Sequence, residues 1–417
     1  MLGRLRCLKG RGKARPGRCD TGRKYRHGIT AQDNPLRIAI FSHDGSLVGG
    51  ATRSLLNLLD GLKDLGMATM VVCPFRGGLT AALEERGVPY VVIPFKPWLK
   101  AHGRAARARA LARVAWNLLI LPWGIIKVAC FKANLVYTNS SATPAGALTA
   151  MVLRKPHVWH VRESLRLGVQ LSHALGDRVT LWLMNRSRAL IAISRFVRET
   201  ALKGVTAPAY VIRNGLFTQE ELGRLNEHRR LDASGGGMVF ACIGNLMSSK
   251  RQEEAIEALS LVIRKYPEAR LMLVGSGEEG YIARLRDLCG KLGLNEVVEF
   301  TGYVADPVQA VRMCDAVIVS SRNEGLSRVV IEAMALGKPV IGCRSGGIVE
   351  LIEDKKNGLL YDNNVASLAR CMEMLLEDKG LARRLGESGV EEAREKYTIE
   401  RYAREVSEVL RRATRTC

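Results

Sequence analysis

Glu324 and Glu332 stand eight residues apart in the run Ser320-Ser321-Arg322-Asn323-Glu324-Gly325-Leu326-Ser327-Arg328, Val329 to Ala333. The apolar residues over 315–320 read as a strand, and the periodic pattern from Ser327 reads as a helix, so the polar loop joins a strand end to a helix start. Gly325 permits a close backbone approach there. The free N–H groups of the helix start make an anion site. Helical side chains tilt back toward the N-terminus, so Glu332, less than two turns in, can line one pocket with Glu324. A phosphate would meet the amides while the carboxylates hold sugar or ribose hydroxyls. Two glutamates at this spacing also occur on a solvated helix face. Val329, Val330, Ile331 and Ala333 argue against that, because they make the helix mostly buried, and a buried Glu needs a partner.

The elements that must position this pocket alternate short apolar runs with longer amphipathic stretches over 417 residues, an α/β pattern long enough for two or three domains. Residues 36–41 read as a buried strand, followed by a loop ending in Gly49-Gly50 and a helix marked by Leu55, Leu58, Leu59, Leu62 and Leu65. Further strands are expected at 70–73, 90–93, 135–138, 158–161, 189–193 and 210–212. A second α/β unit has strands near 238–243, 270–274, 297–301, 315–320, 338–343 and 358–361. The expected organisation is a basic disordered extension over 1–35, a first domain over 36–215, a polar linker over 216–237, a second domain over 238–397 and a final helix over 398–417.

The net charge is +22, and its placement is uneven. Residues 1–35 carry +8, and the stretch from Arg86 to Arg162 carries twelve Lys/Arg and no Asp or Glu. Such a surface attracts polyanions, anionic lipid among them. No nucleic-acid-binding motif accompanies the charge, so a nucleic-acid partner is not expected. Within the basic stretch, an Arg-rich segment (Arg104, Arg107, Arg109, Arg113) precedes an apolar run with two tryptophans, Val114 to Phe131. Asn117, Pro122 and Lys127 interrupt that run, which argues against a transmembrane helix. A buried helix pair and a basic interfacial helix both fit. The ten cysteines lack zinc-type spacing and fit free thiols in a reducing compartment. The start shows no secretory signal pattern, so a cytoplasmic location is expected.

The context of Glu324 resembles glycosyltransferase family 4, the retaining GT-B enzymes. Their signature is a Glu, seven residues, then a second Glu followed by Ala-Met-Ala-x-Gly-x-Pro-Val, and Glu324 to Val340 is similar throughout. Ser345-Gly346-Gly347 to Glu350 and Asn357-Gly358-Leu359-Leu360 resemble the downstream motifs. The resemblance implies two Rossmann-like domains facing a cleft, with the last helix returning to the first domain. It implies that Glu332 binds the donor ribose and Glu324 the transferred sugar, with amides of Gly325, Leu326, Ser327 and Arg328 on the sugar and pyrophosphate. Lys250, in the loop containing Gly244 and Asn245, would neutralise the pyrophosphate. Asn245 stands where the family usually has Arg. Gly275 would border the nucleotide, Gly302 and Val304 would frame the base, and Gly49 with Gly50 would approach the donor phosphate and the acceptor. His160, at a strand end, would face the donor sugar across the cleft.

No Asp-x-Asp motif with flanking ligands is visible, so no metal and no cofactor beyond the nucleotide-sugar donor are expected. The reading is a retaining, metal-independent glycosyltransferase. The acceptor would be lipid-linked or a saccharide, in surface polysaccharide or glycolipid assembly, with the protein peripheral on the inner face of the plasma membrane. The loss of Arg at Asn245 keeps one alternative open, a non-catalytic nucleotide-sugar-binding partner subunit.

Overall fold

The computed structural model describes residues 35–47, 49–100, 104–168, 171–227 and 237–415. The extension over 1–34 and residues 228–236 of the expected linker lie outside the described residues. The first half contains β1 (Arg37–Ser42), β2 (Ala68–Cys73), β3 (Tyr90–Val92), β4 (Leu99–Lys100), β5 (Leu135–Asn139), β6 (His157–Val161), β7 (Ser172–His173), β8 (Ala189–Ala192) and β9 (Ala209–Val211). Seven of these form a parallel sheet in the order β3-β2-β1-β5-β6-β8-β9, and β4 pairs antiparallel with β7 in a separate ribbon. The helices of this half are α1 (Gly50–Asp64), α2 (Gly78–Glu85), α3 (Arg104–Cys130), α4 (Ala145–Leu153), α5 (Leu165–Gly168), α6 (Gly176–Asn185), α7 (Arg195–Ala201) and α8 (Gln219–Glu227). Helix α8 falls inside the segment expected to be a polar linker. Its Leu222 is buried, which gives a mostly polar sequence one apolar anchor.

The second half contains β10 (Val239–Ile243), β11 (Arg270–Val274), β12 (Val298–Gly302), β13 (Ala316–Val319), β14 (Val340–Cys343) and β15 (Leu359–Tyr361). They form a parallel sheet in the order β12-β11-β10-β13-β14-β15. Around it lie α9 (Gln252–Val262), α10 (Glu279–Leu292), α11 (Pro307–Arg312), α12 (Arg328–Ala335), α13 (Val365–Glu377) and α14 (Lys379–Lys396). The strands are short apolar runs covered on both faces, as parallel sheets require. In each sheet the strand order reverses beside the first strand, between β1 and β5 and between β10 and β13. Crevices at the carboxyl ends of strands at such reversals are where doubly wound sheets bind ligands.

The last helix, α15 (Ile399–Arg415), leaves the second half and packs on the first. Its Tyr402, Val406 and Leu410 share one buried cluster with Ile38, Ile40, Leu55 and Leu59. Burial of a Val or Leu of this kind contributes about 1.5–3 kcal/mol each. The chain crosses between halves twice at one place, where the Leu216 N–H donates to the Tyr397 carbonyl and the Ile399 N–H to the Phe217 carbonyl, both at 2.9 Å. The two Rossmann-like halves and the returning helix therefore follow the expected architecture.

Helix α3 differs from the buried helix pair considered above. It is one unbroken helix with Pro122 inside it, and most of its apolar residues are exposed.

Candidate active site

The loop after β10 and the loop after β13 meet at the reversal point of the second sheet. A short 3-10 turn, Ser248–Lys250, carries Lys250, whose carbonyl accepts a 2.7 Å hydrogen bond from Ser320 Oγ. Lys250 Nζ then reaches Glu324 Oε1 at 3.0 Å. Ser321 Oγ donates to the other carboxylate oxygen. The Gly347 N–H donates to the Glu324 carbonyl at 2.7 Å, so the Gly-Gly loop after β14 braces the loop of Glu324. Beneath both loops sits Glu254, buried on α9. It accepts from Arg251 Nε at 2.6 Å, Arg322 Nη2 at 2.8 Å and the Tyr361 hydroxyl at 2.7 Å. One carboxylate thus ties the Lys250 loop to the Glu324 loop.

Helix α12 begins immediately after, with Ser327 at its N-cap and no side-chain cap hydrogen bond. Its first N–H groups are left for another acceptor, which is the condition for an anion site. Lys250, Glu324 and Ser327 line a small cavity of about 20 Å³. Arg328 and Glu332 line a different and larger one, about 460 Å³, between the halves. The two glutamates therefore border neighbouring spaces at the start of α12 rather than a single pocket. Glu332 is bonded to Arg328, Nη2 to Oε1 at 3.4 Å.

The electrostatics of the two carboxylates diverge. Burial alone would raise the Glu324 carboxyl, but the Lys250 charge and the hydrogen bonds from Ser321 and Lys250 outweigh it and hold it below its usual range. Burial also raises Glu332, and there Arg328 and Arg53 offset it only partly, so its carboxyl lies above the usual range. Arg328 is held below its ordinary value by burial, against the pull of Glu332.

The first half closes the larger cavity from the opposite side. Arg53, Leu56 and Asn57 of α1 line it, as do Tyr303 and Asp306 of the second half. Gly49 is the N-cap of α1 and Gly50 its first residue. Gly50 lies against Arg328, whose Nη1 donates to Ser54 Oγ at 2.9 Å across the cleft. Gly325 makes the other close crossing, since a Cβ there would stand 2.9 Å from the Arg162 carbonyl. Glu350 ties the halves as well. Its carboxylate accepts from the Phe196 N–H at 2.7 Å and the Arg195 N–H at 2.9 Å.

His160 is the sequence expectation that the structure corrects. It is fully buried and lines neither of these cavities. Its ring packs against Tyr137 and Tyr402, Nδ1 shares a hydrogen bond with the Tyr137 hydroxyl, and Nε2 has no partner. Burial, with Arg162 adding to it, pushes its pKa well below the usual histidine range, so the ring is neutral. The reason is depth along the strand. His160 lies inside β6 on the face that Tyr402 of α15 covers, whereas Arg162, on the same face, lies past the strand end. Arg162, two residues on, is the residue that the strand end delivers next to Gly325. Its guanidinium is bonded to Asn139, Asn214 and Tyr402.

The remaining expected residues fall into place unevenly. Gly275 has φ +143°, and a Cβ there would lie 2.1 Å from the Gly244 carbonyl, so these two glycines serve a close contact between loops. Leu326 is buried beneath the loop. Asn245 is exposed and lines neither cavity, and its carbonyl accepts from Gln252 Nε2 at 3.0 Å. Gly302 and Val304 do not line the larger cavity, whereas the adjacent Tyr303 and Asp306 do. Arg53, Glu254, Tyr303 and Asp306 went unmarked in the sequence. Only Glu254 left a trace, as an acid in the first turn of a helix following Lys250.

A third cavity, about 280 Å³, lies within the first half and is lined by Ser141, Ser164, Ser172, His173, Asp177 and Lys203 among others.

Comparison with known proteins bears on this arrangement. Residues 48–220 match the family model for Glycosyltransferase Family 4, and residues 224–392 match that for Glycosyl transferases group 1. An uncharacterized glycosyltransferase of Haemophilus influenzae is 30% identical over 251 residues, covering 60% of this chain and 68% of that protein. The N-acetyl-alpha-D-glucosaminyl L-malate synthase of Bacillus anthracis is 26% identical over 238 residues, covering 57% of this chain. That match spans 59% of the synthase's own length, and a match to a putative glycosyltransferase, EpsD of Bacillus subtilis, spans 37% of its length. The crystal structure of Anabaena HepE in complex with UDP has the same fold, with a TM-score of 0.73, 23% identity, and coverage of 90% of this chain and 100% of that one.

Proposed function

Because this chain belongs to glycosyltransferase family 4, we propose that it transfers a sugar, with retention and without a metal ion, from a nucleoside-diphosphate sugar to a lipid-linked or saccharide acceptor. The observation that carries this reading is the pairing of Lys250 with Glu324 at the uncapped start of α12, one turn from Glu332. In the complex, Lys250 and the free amides neutralise the diphosphate as charge develops on the leaving oxygen. Glu324, relieved of Lys250, accepts hydroxyls of the transferred sugar. Glu332 accepts the ribose hydroxyls in the larger cavity. No carboxylate is an obvious nucleophile, so transfer occurs on the donor's front face, with the departing phosphate oxygen taking the acceptor proton. Uracil is the first base to test, in UDP-sugars, since HepE binds UDP.

Metal independence is part of the proposal, drawn from the sequence, which shows no Asp-x-Asp motif with flanking ligands, and turnover in EDTA tests it. The acid-free stretch from Arg86 to Arg162 supports an acceptor at an anionic membrane surface, hence action on the cytoplasmic face of the plasma membrane. The test is turnover of a panel of nucleotide sugars by the purified chain, with product anomers assigned by NMR. The reading expects retained configuration, no loss of rate in EDTA, and collapse of turnover in Lys250→Ala and Glu324→Ala. Donor binding without turnover in every protein would favour the non-catalytic partner subunit instead.

A further inference from the structure

Helix α3 carries a long apolar face that none of the described residues covers. Its buried residues, Ala110, Asn117, Gly124 and Val128, recur at sevens and a four, so they form one stripe. That stripe is fastened to the domain. Asn117 Oδ1 accepts from the Lys96 N–H and its Nδ2 donates to the Lys96 carbonyl, each at 2.8 Å, and Gly124 rests on Phe95. The opposite side presents Leu111, Leu118, Leu119, Pro122, Trp123 and Ile126, with Leu119 73%, Trp123 65% and Ile126 57% exposed. From Leu111 to Ile126 this strip runs about 23 Å. Met151 and Val152 of α4, which packs alongside α3, are exposed too.

We propose that this face of α3 and α4 is the element that docks the protein on an anionic lipid bilayer, lying in the interface with Leu119, Trp123 and Ile126 among the acyl chains. The proposal rests on the membrane-surface reading above and assigns it to a particular surface. By length and composition alone α3 is able to cross a membrane. The fastened stripe excludes that, because one side of the helix is already occupied by the domain, and a helix held so lies on the bilayer rather than through it. Charge decides between lipid and a second copy. Arg107, Arg109 and Lys127 are exposed at the margins of the strip, Arg154 and Lys155 follow α4 directly, and no acid occurs between Arg86 and Arg162. Two such faces stacked on each other would bring like charges together, whereas anionic headgroups would neutralise them. Tryptophan favours the bilayer interface, where its ring sits at headgroup level. The docked face also has a structural route to the interior. Strand β4, three residues before α3, pairs with β7, whose Ser172 and His173 line the 280 Å³ cavity.

The experiment is sedimentation of the full chain with vesicles of phosphatidylcholine alone or containing one-third phosphatidylglycerol. UDP-induced thermal stabilisation is measured on the same preparations. The expected result is binding at least tenfold stronger to the anionic vesicles and lost in Leu119→Glu and in Trp123→Glu, with UDP stabilisation unchanged. Arg107→Gln with Arg109→Gln should weaken only the anionic preference and flatten its salt dependence. Wild-type binding in Leu119→Glu, equal binding to both vesicles, or a vesicle-free dimer that Leu119→Glu dissociates would each overturn the assignment. Absent UDP stabilisation in the wild type, with vesicle binding intact, would instead strike the donor-site reading and leave the docking surface standing.

Discussion

The two halves share one sheet plan and use it in opposite ways. In the second half, charge is paired and braced. Lys250 meets Glu324, Arg328 meets Glu332, and Glu254 gathers Arg251, Arg322 and Tyr361 under the loops that carry them. In the first half, the long stretch from β3 to the end of β6 holds cations without acids and turns an apolar helix face outward. A site that must bind a diphosphate of fixed shape needs preorganised donors, since reorganisation during reaction is costly. A surface that meets a fluid bilayer needs only area and net charge. On the proposed reading, the contrast assigns diphosphate binding to the second half and docking on a membrane to the first.

The contrast breaks most readily at Lys250. Replacing it by Ala should lower turnover by about 10²- to 10³-fold, the scale of one lost charge-stabilising donor, while vesicle binding stays as in the wild type. Parallel loss of both would merge the roles of the halves. Next comes Glu254→Ala, which strands two guanidinium groups. These are about a third exposed, so the cost should fall below the roughly 3–5 kcal/mol of a fully buried pair, at about 2 kcal/mol, read from denaturant midpoints.

His160→Phe sharpens the correction made above. Turnover per folded molecule should be unchanged, with stability lower by about 1–3 kcal/mol because the Tyr137 hydroxyl loses its partner. A collapse of turnover would restore His160 to the reaction. The buried histidines also set the acid limit of the fold. Burial pushes His157 down to about 3 and depresses His160. A base depressed in the folded state stabilises above its unfolded pKa, so stability should be full above about pH 6.5 and fall as the pH drops toward 3.

The finest test distinguishes the two donor-half carboxylates. Glu332 is raised and Glu324 lowered, so of the two Glu332 takes up a proton first as the pH falls. UDP affinity should weaken as pH falls through the raised value, by a small factor. Glu332→Gln should remove that limb, and its persistence in the variant would place the titration elsewhere.

Much of this was legible in the sequence for a physical reason. Parallel strands buried on both faces appear as short apolar runs, and the pattern from Glu324 to Val340 places two acids around a helix start that the fold keeps. The last helix was legible as a charged helical pattern, and its return to the first half followed from the family resemblance. What stayed hidden depends on partners distant in sequence. His160 was misplaced because a strand end can be read, but how far along it α15 covers one face cannot. Arg53 and Tyr303 were missed because their pocket exists only once two halves meet. Glu254 looked like any acid in a first helical turn. The exposure of α3 was open because an apolar run has the same sequence whether a domain or a bilayer covers it.

The most direct test of the central claim is a structure of the chain bound to UDP. The account predicts the diphosphate within hydrogen-bond reach of Lys250 Nζ and the α12 amides, the Lys250–Glu324 contact loosened, and a ribose hydroxyl on the Glu332 carboxylate. UDP lodged in the 280 Å³ cavity of the first half, with the Lys250–Glu324 pair intact, would contradict it.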